Sequence, residues 1–541
     1  MENKKVGIIG AGPSGICAAK HAFQNNLTPI VFEKEPFAGG LWAPNTAAWS
    51  DLCAIHSRYS MLYSDFAWPS DAPLIPSLND VNKYLNDYID HFNLRSYFNF
   101  NSNVVKVKFI ESNKQWKIEW IESTTNKVTE TLVDFIIFSS GLNSQPRIPN
   151  NESLKQFKGL VMHSSQIKSS FNPLLKDKKL IIVGNGLSGI EISSQMVGHA
   201  ASVVNVFTRP ILNVPRIVVK KCDNDPNHFN LIPIDLFLFR RENFFCSREY
   251  LIDFLAKTCP IQTNKEKCPE AIFYDLNAKE NLPPRIIVDN KYVEYVCENR
   301  IKAKKTQIKT YLSNGVEFED GSIEEADVII FCTGYLPNTS YLDQETKEKL
   351  NYKSDYYKFP FVLYKWTFHS ELENAAFINQ TLGVFFIASE LQVKLAMKVF
   401  LNEIKLPDKD KLKENVEKEK ERRELDHKLQ FPNGSYALII DKLAEELNCL
   451  PNLDYLKESN KNLYDMFWKN PILSVHFDYE NESKRENCLN VMSKVDEILN
   501  TKYSLNIHDD SLHNQIYSEV FEKLNQIYKL PNDLAKYLLK N

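Results

Sequence analysis

Residues 5–34 read K-V-G-I-I-G-A-G-P-S-G-I-C-A-A-K-H-A-F-Q-N-N-L-T-P-I-V-F-E-K, and a similar stretch, K-L-I-I-V-G-N-G-L-S-G-I-E-I, begins at residue 179. In each copy an apolar run precedes G-x-G-x-x-G, a helical pattern follows it, and a second apolar run comes roughly twenty residues later. The first glycine permits a tight turn, the second lets a pyrophosphate approach the backbone, and the third lets helix pack on strand. The two stretches therefore predict two Rossmann-like βαβ units that each bind a dinucleotide, rather than a short solenoid repeat.

The residues that end the second strand of each unit differ, and they predict different dinucleotides. The first unit ends V-F-E-K at residues 31–34, where the Glu33 carboxylate can accept hydrogen bonds from the ribose hydroxyls of FAD or NAD. The second ends V-F-T-R at residues 206–209, where no acid repels a 2′-phosphate and Arg209 offers a guanidinium fork. We therefore expect NADP on the second unit. The alternative that Arg209 is an ordinary surface residue stays open, and Lys220 and Lys221 are weaker phosphate candidates.

Length, charge and cysteine content limit the class of protein. The chain has 541 residues, enough for two or three domains, and its formal net charge of -4 predicts no general attraction to nucleic acid. Its 10 cysteines form no C-x-x-C pair, which argues against a zinc ribbon, a disulfide scaffold or a thioredoxin-like redox pair. We therefore expect no metal site and a reducing compartment. The oligomeric state is not readable from the sequence.

Two apolar stretches need to be weighed as export or membrane signals. Lys4 and Lys5 with the apolar residues that follow have the outline of a signal peptide, but strand, glycine loop and helix explain that stretch better. Residues 383–401 carry Glu390, Lys394 and Lys398 four apart on one helical face, which predicts an amphipathic soluble helix rather than a membrane span. The protein is therefore predicted to be cytoplasmic, without a transmembrane anchor.

The remaining chain divides into β-rich and helical parts. Helical spacing with an Asn or Asp cap predicts a helix over residues 78–93, and alternating runs predict strands before the apolar run at 135–138. The dipeptide D-G at 320–321 predicts a hairpin that leads to an apolar strand from residue 328. Residues 407–427 predict a solvated charged helix, and the pattern from 436 to 541 is mostly helical. Residues 220–285 show no clear period.

Several further motifs make the chain resemble the flavin-containing monooxygenase family. They are, in chain order, G-G-L-W (39–42), Y-S-D-F (63–66), F-K-G-L-V-M-H (157–163), F-C-T-G-Y (331–335), Q-T-L-G (380–383), E-L-Q (390–392) and Y-A-L-I-I-D-K-L-A-E-E-L (436–447). The third is similar to the family's fingerprint F-x-G-x-x-x-H. The resemblance is specific because these motifs recur in the family's order around two glycine loops.

The resemblance implies FAD on the first unit and NADPH on the second. The residues that would hold FAD are Gly10, Ala11, Gly12, Pro13, Ser14, Gly15, Glu33, Gly40, Leu41, Trp42, Val105, Gly141 and Gln380. The residues that would contact NADP are Gly184, Gly186, Leu187, Ser188, Gly189, Glu191, Arg209, His163, Ser164, Thr333 and Gly334. His163 and Ser164 would lie at the junction of the two units and couple domain position to NADPH binding, rather than act as acid or base on a substrate.

The predicted fold class is α/β, with two Rossmann-like domains, the NADPH domain inserted in the FAD domain, and a mostly helical C-terminal region. The FAD-binding domain is predicted over residues 1–172 and 331–402, and the NADPH-binding domain over residues 173–330. The helical C-terminal region is predicted over residues 403–541.

Two positions depart from the family's pattern. The fingerprint usually ends in an aromatic residue four positions after the histidine, a Trp in Baeyer–Villiger relatives, and here that position is Ile167. Many members have an Asn upstream of the S-D-F segment, near the reactive edge of the flavin, whereas this chain reads I-H-S-R at 55–58. Either His56 or Arg58 takes over that polar role, or oxygen activation is weaker and hydrogen peroxide leaks.

The resemblance implies an NADPH- and O₂-dependent monooxygenase that transfers one oxygen atom from a C4a-peroxyflavin to a soft nucleophile, a small amine or sulfide. Since the flavin carries the chemistry, no side chain is expected to act as a nucleophile. A Baeyer–Villiger or N-hydroxylating monooxygenase, a poorly coupled NADPH oxidase and a non-catalytic dinucleotide sensor are alternatives on the same scaffold. A flavin disulfide reductase would need a redox cysteine pair that the spacing does not provide.

Overall fold

The computed structural model describes residues 3–44, 46–169, 172–222, 225–244, 248–278, 285–352, 360–379, 385–425, 436–501 and 503–504. The strands in these ranges are β1 (Lys5–Ile9), β2 (Thr28–Phe32), β3 (Phe98–Asn99), β4 (Ser102–Ile110), β5 (Gln115–Glu122), β6 (Lys127–Val133), β7 (Phe135–Phe138), β8 (Gln145–Pro146), β9 (Leu160–His163), β10 (Lys179–Val183), β11 (Ser202–Phe207), β12 (Leu212–Val214), β13 (Ile217–Cys222), β14 (Asp225–Pro233), β15 (Ile286–Val288), β16 (Lys302–Lys305), β17 (Ile308–Leu312), β18 (Gly315–Phe318), β19 (Ile323–Glu325), β20 (Val328–Phe331), β21 (Tyr335–Leu336), β22 (Ala375–Phe377) and β23 (Tyr503–Ser504). The helices are α1 (Pro13–Gln24), α2 (Leu78–His91), α3 (Leu187–Met196), α4 (Ile234–Leu238), α5 (Arg241–Phe244), α6 (Arg248–Thr258), α7 (Tyr292–Cys297), α8 (Gln344–Lys349), α9 (Phe385–Phe400), α10 (Lys409–Leu425), α11 (Tyr436–Glu446), α12 (Leu453–Ser459), α13 (Lys461–Lys469) and α14 (Glu482–Asn500).

Two parallel sheets of the same layout form the body of the molecule. The first has the strand order β22-β7-β1-β2-β3, and the second has the order β9-β20-β10-β11-β16. The chain leaves the first sheet after β7, builds the second, and returns to the first in β22, which pairs with β7. This insertion confirms the predicted α/β class with two Rossmann-like units. β9 lies before residue 172 in the chain and pairs with β20 in the second sheet.

The first sheet is buried on both faces, and its side chains alternate between two hydrophobic clusters. Ile8 and Ile137 pack with the helical layer that contains α1 and α9, whereas Ile136 packs with the antiparallel sheet β4-β5-β6. Gly7 of β1 lies so close to this antiparallel sheet that a Cβ would come within 2.5 Å of Ile118 Cδ1. Strands covered on both faces read as continuous apolar runs, which is why the sequence located them.

Most of the predicted local elements are present, with one change of cap. The helix expected over residues 78–93 is α2, and Ser77, rather than an Asn or Asp, caps it. The Ser77 N–H donates to Asp80 Oδ2 at 2.9 Å, and the Asp80 N–H donates to Ser77 Oγ at 3.3 Å. The predicted hairpin is confirmed by the antiparallel pair β18–β19, with Gly321 at φ +79° in its turn.

The helix expected near residues 383–401 is α9, but its charged face is buried rather than solvated. Glu390 accepts the Ser64 N–H at 3.0 Å and pairs with Lys394 at 2.9 Å, and Lys394 also reaches Asp478 at 3.2 Å. Burial alone would lower the pKa of Lys394, but Glu390 and Asp478 outweigh it and raise that pKa. The amphipathic interpretation was wrong for this face because two distant segments pack on it.

The C-terminal helices share the core of the first unit. Ile440 of α11 and Met492 of α14 belong to the same hydrophobic cluster as Ile16 of α1 and Ala396 of α9. Residues 220–285, which the sequence left without a prediction, contain the antiparallel pair β13–β14 and the helices α4 to α6. The Phe237 ring of α4 stacks on the Phe254 ring of α6 with centroids 4.0 Å apart. The C-terminal helices thus extend the helical layer beside the first sheet.

Candidate functional site

The first glycine loop folds tightly between β1 and α1. Gly10 has φ +101°, and its N–H donates to the Phe32 carbonyl oxygen at 2.8 Å. A Cβ on Gly10 would lie 2.7 Å from the Ser139 carbonyl oxygen, and a Cβ on Gly15 would overlap the Gly10 carbonyl oxygen. Both positions therefore require glycine, because β2, the end of β7 and α1 all contact this loop.

The second glycine loop repeats that geometry between β10 and α3. Gly184 has φ +107°, and its N–H donates to the Val206 carbonyl oxygen at 2.7 Å. A Cβ on Gly184 would lie 2.6 Å from the Cys332 carbonyl oxygen, and a Cβ on Gly189 would overlap the Gly184 carbonyl oxygen. Cys332 follows β20 as Ser139 follows β7, so each loop is held from both neighbouring strands.

The middle glycine of each loop faces more open space. A Cβ on Gly186 would meet nothing within 4 Å, and a Cβ on Gly12 would meet only Gly40 Cα, at 3.6 Å. Both α1 and α3 follow these glycines without a side-chain cap, in contrast to α2 with its capping box. The N–H groups of their first turns are left without a capping side chain, which suits the binding of a pyrophosphate.

The G-G-L-W turn lies against the first glycine loop. The Gly39 N–H donates to the Ala11 carbonyl oxygen at 2.9 Å, and a Cβ on Gly40 would lie 2.8 Å from Gly12 Cα. The next residue, Leu41, leaves 38% of its surface exposed although it is apolar. Three of the residues predicted to hold FAD, Gly40, Leu41 and Trp42, thus form a short 3₁₀ turn beside the predicted pyrophosphate position.

Glu33 lies at the carboxyl end of β2 and faces the first glycine loop. Its Oε2 accepts the Ala11 N–H at 2.7 Å, and its Oε1 accepts the Glu35 N–H at 3.0 Å. Burial raises the pKa of the Glu33 carboxyl, and the two backbone N–H groups oppose that rise. Each carboxylate oxygen has a further lone pair, so the group can still accept a ribose hydroxyl.

Arg209 lies beside the second glycine loop and is exposed. The Asn185 side chain inside the loop donates to the Arg209 carbonyl oxygen at 2.7 Å, which fixes the backbone of the two segments together. No hydrogen bond or ion pair occupies the Arg209 guanidinium within the part of the chain that the structure describes. Lys220 and Lys221 lie in β13.

The other predicted residues of α3 divide between its surface and its interior. Leu187 is 42% exposed at the start of the helix, and Ser188 is half-buried. Glu191 points inward, with its Oε1 3.5 Å from Arg216 Nη2. Burial raises the pKa of Glu191 to about 7, and the nearby Arg216 charge opposes that rise.

The structure adds two residues that the sequence interpretation missed. Asn205 is fully buried in β11, where its Nδ2 donates to the carbonyl oxygens of Ile182 at 3.0 Å and Gly184 at 2.9 Å. The Tyr292 hydroxyl of α7 donates to Asn205 Oδ1 at 2.6 Å. Asn205 therefore holds the second glycine loop in place from the adjacent strand β11. An amide in the otherwise apolar run V-V-N-V-F was the signal that could have revealed it.

His163 links the fingerprint to the F-C-T-G-Y segment. The Ser165 N–H donates to its Nδ1 at 3.1 Å, so Nε2 carries the proton and donates to the Gly334 carbonyl oxygen at 3.0 Å. Burial lowers the pKa of His163, which favours the neutral ring. Its edge meets the Tyr335 ring with centroids 4.9 Å apart. His163, the last residue of β9, thus connects the second sheet to the segment after β20 through the Gly334 carbonyl oxygen.

The remaining predicted residues lie near these loops or outside the described ranges. Ser164 is buried next to His163, and Thr333 Oγ1 donates to the Arg147 carbonyl oxygen. Gly141 and Gly334 have φ +76° and +83° in the turns after β7 and β20. Val105 is the extra residue at a bulge in β4 and is 36% exposed. Gln380 lies outside the described residues.

The I-H-S-R segment contacts α4 of the otherwise unpredicted region. Asp235 Oδ2 accepts both the Ser57 N–H and the Ser57 hydroxyl, each at 2.8 Å. The His56 ring meets the Phe239 ring edge-on at 5.7 Å, and burial lowers the pKa of His56 while the Asp235 charge opposes that shift. The Arg58 guanidinium turns away and donates to the carbonyl oxygens of the 69–72 turn.

Comparison with known proteins assigns the fold and these loops to one family. The family described as FMO-like, flavin-binding monooxygenase-like, matches residues 3–524. The chain belongs to the flavin-binding monooxygenase-like family. The predicted resemblance is therefore confirmed, and so is the prediction of a FAD-dependent, NADPH-using monooxygenase.

Relatives of this monooxygenase include enzymes and solved structures of several kinds. It is 25% identical over 480 residues to dimethylaniline monooxygenase [N-oxide-forming] 4 of Rattus norvegicus, covering 84% of this chain and 80% of the rat protein. The S-allyl-L-cysteine S-oxygenase structure from Allium sativum aligns with a TM-score of 0.61 at 18% identity, over 91% of this chain and 99% of that one. An open crystal structure of cyclohexanone monooxygenase aligns with a TM-score of 0.61 at 17% identity, over 83% and 98%.

The residues of this monooxygenase fit the two cofactors that its family implies. The uncapped starts of α1 and α3, the open space above Gly186 and the buried Glu33 carboxylate are features that dinucleotides use. Among the described residues no group of three or more His, Cys, Asp or Glu side chains is placed to hold a metal ion. No helix in the described ranges is both long and apolar enough to span a bilayer.

Proposed function

We propose that this monooxygenase uses NADPH and O₂ to oxygenate soft nucleophiles, small amines or sulfides, at nitrogen or sulfur. The observation that carries the proposal is the pair of matching glycine loops with different partners, a buried carboxylate at Glu33 and an exposed guanidinium at Arg209. This difference supports FAD on the first unit and NADPH on the second. When bound, FAD supplies the redox and oxygen-transfer chemistry and NADPH supplies the hydride.

The chain's own residues bind, orient and exclude water. The first-turn N–H groups of α1 and α3 hold the two pyrophosphates, and Glu33 accepts the ribose hydroxyls of FAD. Arg209 binds the 2′-phosphate of NADPH from the end of β11. His163, held neutral by burial, keeps the Gly334 carbonyl oxygen in place and so sets the position of the second unit relative to the first.

The I-H-S-R segment favours His56 over Arg58 for the polar role that the family gives to an Asn. Arg58 already donates to the carbonyl oxygens of Pro69, Ser70 and Ala72, so its guanidinium is engaged in holding a turn. His56 is neutral in its buried setting and can donate one N–H. The I-H-S-R segment contains no Asn, and this favours a poorly coupled NADPH oxidase as the second candidate function.

The names of the relatives support both branches of the proposal. The rat relative is named as an N-oxide-forming dimethylaniline monooxygenase, and the garlic structure is named as an S-oxygenase. The structural neighbour named cyclohexanone monooxygenase is a reason to test the Baeyer–Villiger alternative as well. Ile167 is buried at the position where the family resemblance implies a Trp in Baeyer–Villiger members, and this argues against that branch.

The test is a coupled assay on the purified, FAD-loaded protein. NADPH and O₂ consumption are measured with N,N-dimethylaniline, methyl phenyl sulfide and cyclohexanone, together with product and hydrogen peroxide. We expect flavin absorbance and an N-oxide or sulfoxide. A lactone as the main product would support the Baeyer–Villiger branch, and NADPH oxidation that yields only peroxide would support the oxidase. A protein that cannot be reconstituted with FAD would contradict the whole proposal.

A further inference from the structure

The Y-S-D-F motif at residues 63–66 contacts α1, which follows the first glycine loop, and α9, which packs on α1. The Tyr63 hydroxyl donates to the Pro13 carbonyl oxygen in the first turn of α1 at 2.7 Å. The neighbouring Ser64 N–H donates to Glu390 of α9 at 3.0 Å. The motif thus reaches the start of α1, where the first glycine loop ends, from 50 residues away in the chain.

The first turn of α1 offers few N–H groups to a ligand. Pro13, at the first helical position, has no N–H, and the Ile16 N–H already donates to the Gly12 carbonyl oxygen at 3.0 Å. The N–H groups of Ser14 and Gly15 have no hydrogen-bond partner among the described residues. These two groups must therefore make most of the helix-start contacts to a pyrophosphate, so the orientation of each one matters.

The Tyr63 hydroxyl acts on one of these two N–H groups through a single peptide unit. The Pro13 carbonyl group and the Ser14 N–H belong to the same planar unit, in which the oxygen and the hydrogen point in opposite directions. A donor on the oxygen fixes the plane of the unit. It also polarises the unit, because hydrogen bonds in a chain strengthen one another by roughly 10–30% per bond. The Tyr63 hydroxyl therefore orients the Ser14 N–H and makes it a stronger donor.

The surroundings of Tyr63 hold its hydroxyl in place and keep it protonated. Tyr63 is fully buried, and burial raises the pKa of its hydroxyl, which therefore remains a donor at physiological pH. The Tyr63 N–H donates to the Tyr84 hydroxyl at 2.9 Å, and that hydroxyl donates to the Phe66 carbonyl oxygen at 2.7 Å. The buried Lys20 of α1 pairs with Asp65. Both sides of Tyr63 in the motif are thus fixed by contacts of their own.

Ser14 itself is held from a second direction. Its hydroxyl shares a hydrogen bond of 2.9 Å with the Ser389 hydroxyl of α9, and Ser14 is 5% exposed. The side chain of Ser14 is therefore turned toward α9, and the carbonyl group before it is turned toward Tyr63. With both of these groups engaged, the Ser14 N–H has one orientation before any ligand arrives, and the entropy of ordering it is not lost on binding.

We propose that Tyr63 is a positioning residue for FAD, and that its hydroxyl orients the Ser14 N–H toward the cofactor pyrophosphate through the Pro13 carbonyl group. This inference rests on the proposed placement of FAD on the first unit, and it adds a residue that acts on that site through another residue. The Y-S-D-F motif gains a role by it, since the motif supplies the donor that completes the first turn of α1.

The first test is Tyr63→Phe, which removes only the hydroxyl oxygen. The Pro13 carbonyl oxygen keeps the N–H that helix geometry gives it four residues later, so the fold should persist. We expect Kd for FAD, measured by flavin fluorescence on the full-length protein, to rise about fivefold, while Kd for NADPH on the FAD-loaded protein stays constant. An unchanged Kd for FAD would overturn this inference and leave the proposed function standing. A native protein that binds no FAD would overturn both.

The matched control is Tyr88→Phe. The Tyr88 ring lies 4.7 Å from the Tyr63 ring, centroid to centroid, and Tyr88 is also fully buried. Its hydroxyl has no hydrogen-bond partner in the part of the chain that the structure describes. Removing that hydroxyl changes the same packing without touching α1, so Kd for FAD should equal the native value. An equal rise in both variants would assign the effect to packing and overturn the inference.

Two further readouts separate positioning from stability. The ³¹P NMR signals of the bound FAD pyrophosphate should shift in Tyr63→Phe and stay at their native positions in Tyr88→Phe, because only the first change reaches the Ser14 N–H. Site-specific replacement of Tyr63 by 3-fluorotyrosine keeps the hydroxyl and makes it a stronger donor, so Kd for FAD should fall about twofold. Native phosphorus signals in Tyr63→Phe, or a Kd that rises with 3-fluorotyrosine, would overturn the inference.

Discussion

Replacing Gly186 by alanine should weaken NADPH binding without destabilising the folded protein. The Gly186 backbone has φ −67° and ψ 180°, which any residue adopts, and an added Cβ would meet nothing within 4 Å. The substitution removes conformational freedom only from the unfolded chain, so the free energy of unfolding should rise by about 0.4–1 kcal/mol. The open space is where the second glycine of such a loop admits a pyrophosphate. The added methyl group should therefore displace the ligand, not the protein.

The size of the binding effect follows from the hydrogen bonds that would be lost. A pyrophosphate pushed away from the start of α3 loses at least one charge-assisted N–H bond, which contributes about 1.5–3 kcal/mol. Since 1.4 kcal/mol is about a tenfold change in an equilibrium constant, Kd for NADPH should rise about 10- to 150-fold. The FAD content should not change, because Gly12 and Gly15 in the first loop are untouched.

Gly189→Ala is the matched control with the opposite expectation. Its Cβ would overlap the Gly184 carbonyl oxygen, so α3 must move away from β10. Overpacking of this kind costs about 1–3 kcal/mol, which lowers Tm by roughly 2–4 °C per kcal/mol in a unit of this size. Calorimetric NADPH titration and thermal melting of both FAD-loaded variants give the comparison. The reasoning is refuted if Gly186→Ala binds NADPH like the native protein, or if it loses as much Tm as Gly189→Ala.

Three further predictions address single residues. Arg209→Ala should raise KM for NADPH about 10-fold or more while KM for NADH stays nearly constant, since only the 2′-phosphate contact is lost, and equal losses would exclude Arg209 from the phosphate site. Asp235→Asn, which keeps the size of the side chain but weakens both Ser57 bonds, should lower Tm and raise the ratio of peroxide to product, whereas an unchanged ratio would show that the I-H-S-R segment does not need this anchor. Burial lowers the pKa of His369 to about 4, so the unfolded chain binds the proton first as the pH falls. Stability should therefore drop between roughly pH 6.5 and 4, and His369→Gln should flatten that slope in urea titrations; an identical slope would contradict this.

The sequence located the residues that local geometry dictates. G-x-G-x-x-G after an apolar run has few structural outcomes, and Gly10, Gly15, Gly184 and Gly189 all have the crowding that the motif predicts. The two five-stranded sheets follow from the repeat, because parallel strands covered on both faces are continuous apolar runs. The prediction that charged residues mark a solvent-exposed face was wrong for α9. Glu390 and Lys394 are on the interior face of α9, where they pair with each other and Lys394 also pairs with Asp478, far away in sequence.

The elements that the sequence did not predict depend on contacts between residues that are far apart in the chain. The periodicity of α4 and α5 is weak because these short helices contact distant segments: Asp235 of α4 accepts from Ser57 of the I-H-S-R segment, and Arg241 of α5 donates to Asp441 of α11. Neither contact leaves a local pattern in the sequence. Asn205 is different, since a buried amide inside an apolar strand must find partners, and here they are the Ile182 and Gly184 carbonyl oxygens and Tyr292. A single polar residue in a buried strand is thus a better guide to the site than a charged helix.

His163, the histidine of the F-K-G-L-V-M-H motif, contacts the segments that connect the two units. The segment that leaves the first sheet and the segment that returns to it pair as the antiparallel ribbon β8–β21, and the Arg147 N–H donates to the Gly334 carbonyl oxygen at 3.0 Å. That same oxygen accepts from His163 Nε2 at 3.0 Å. One carbonyl group therefore receives a donor from the outgoing segment and a donor from β9 of the second sheet. Movement of β9 relative to this ribbon would therefore break the bond from His163 to the Gly334 carbonyl oxygen. Only the neutral ring with its proton on Nε2 can both donate to the Gly334 carbonyl oxygen and accept the Ser165 N–H, and burial, which lowers the pKa of His163, favours that neutral ring.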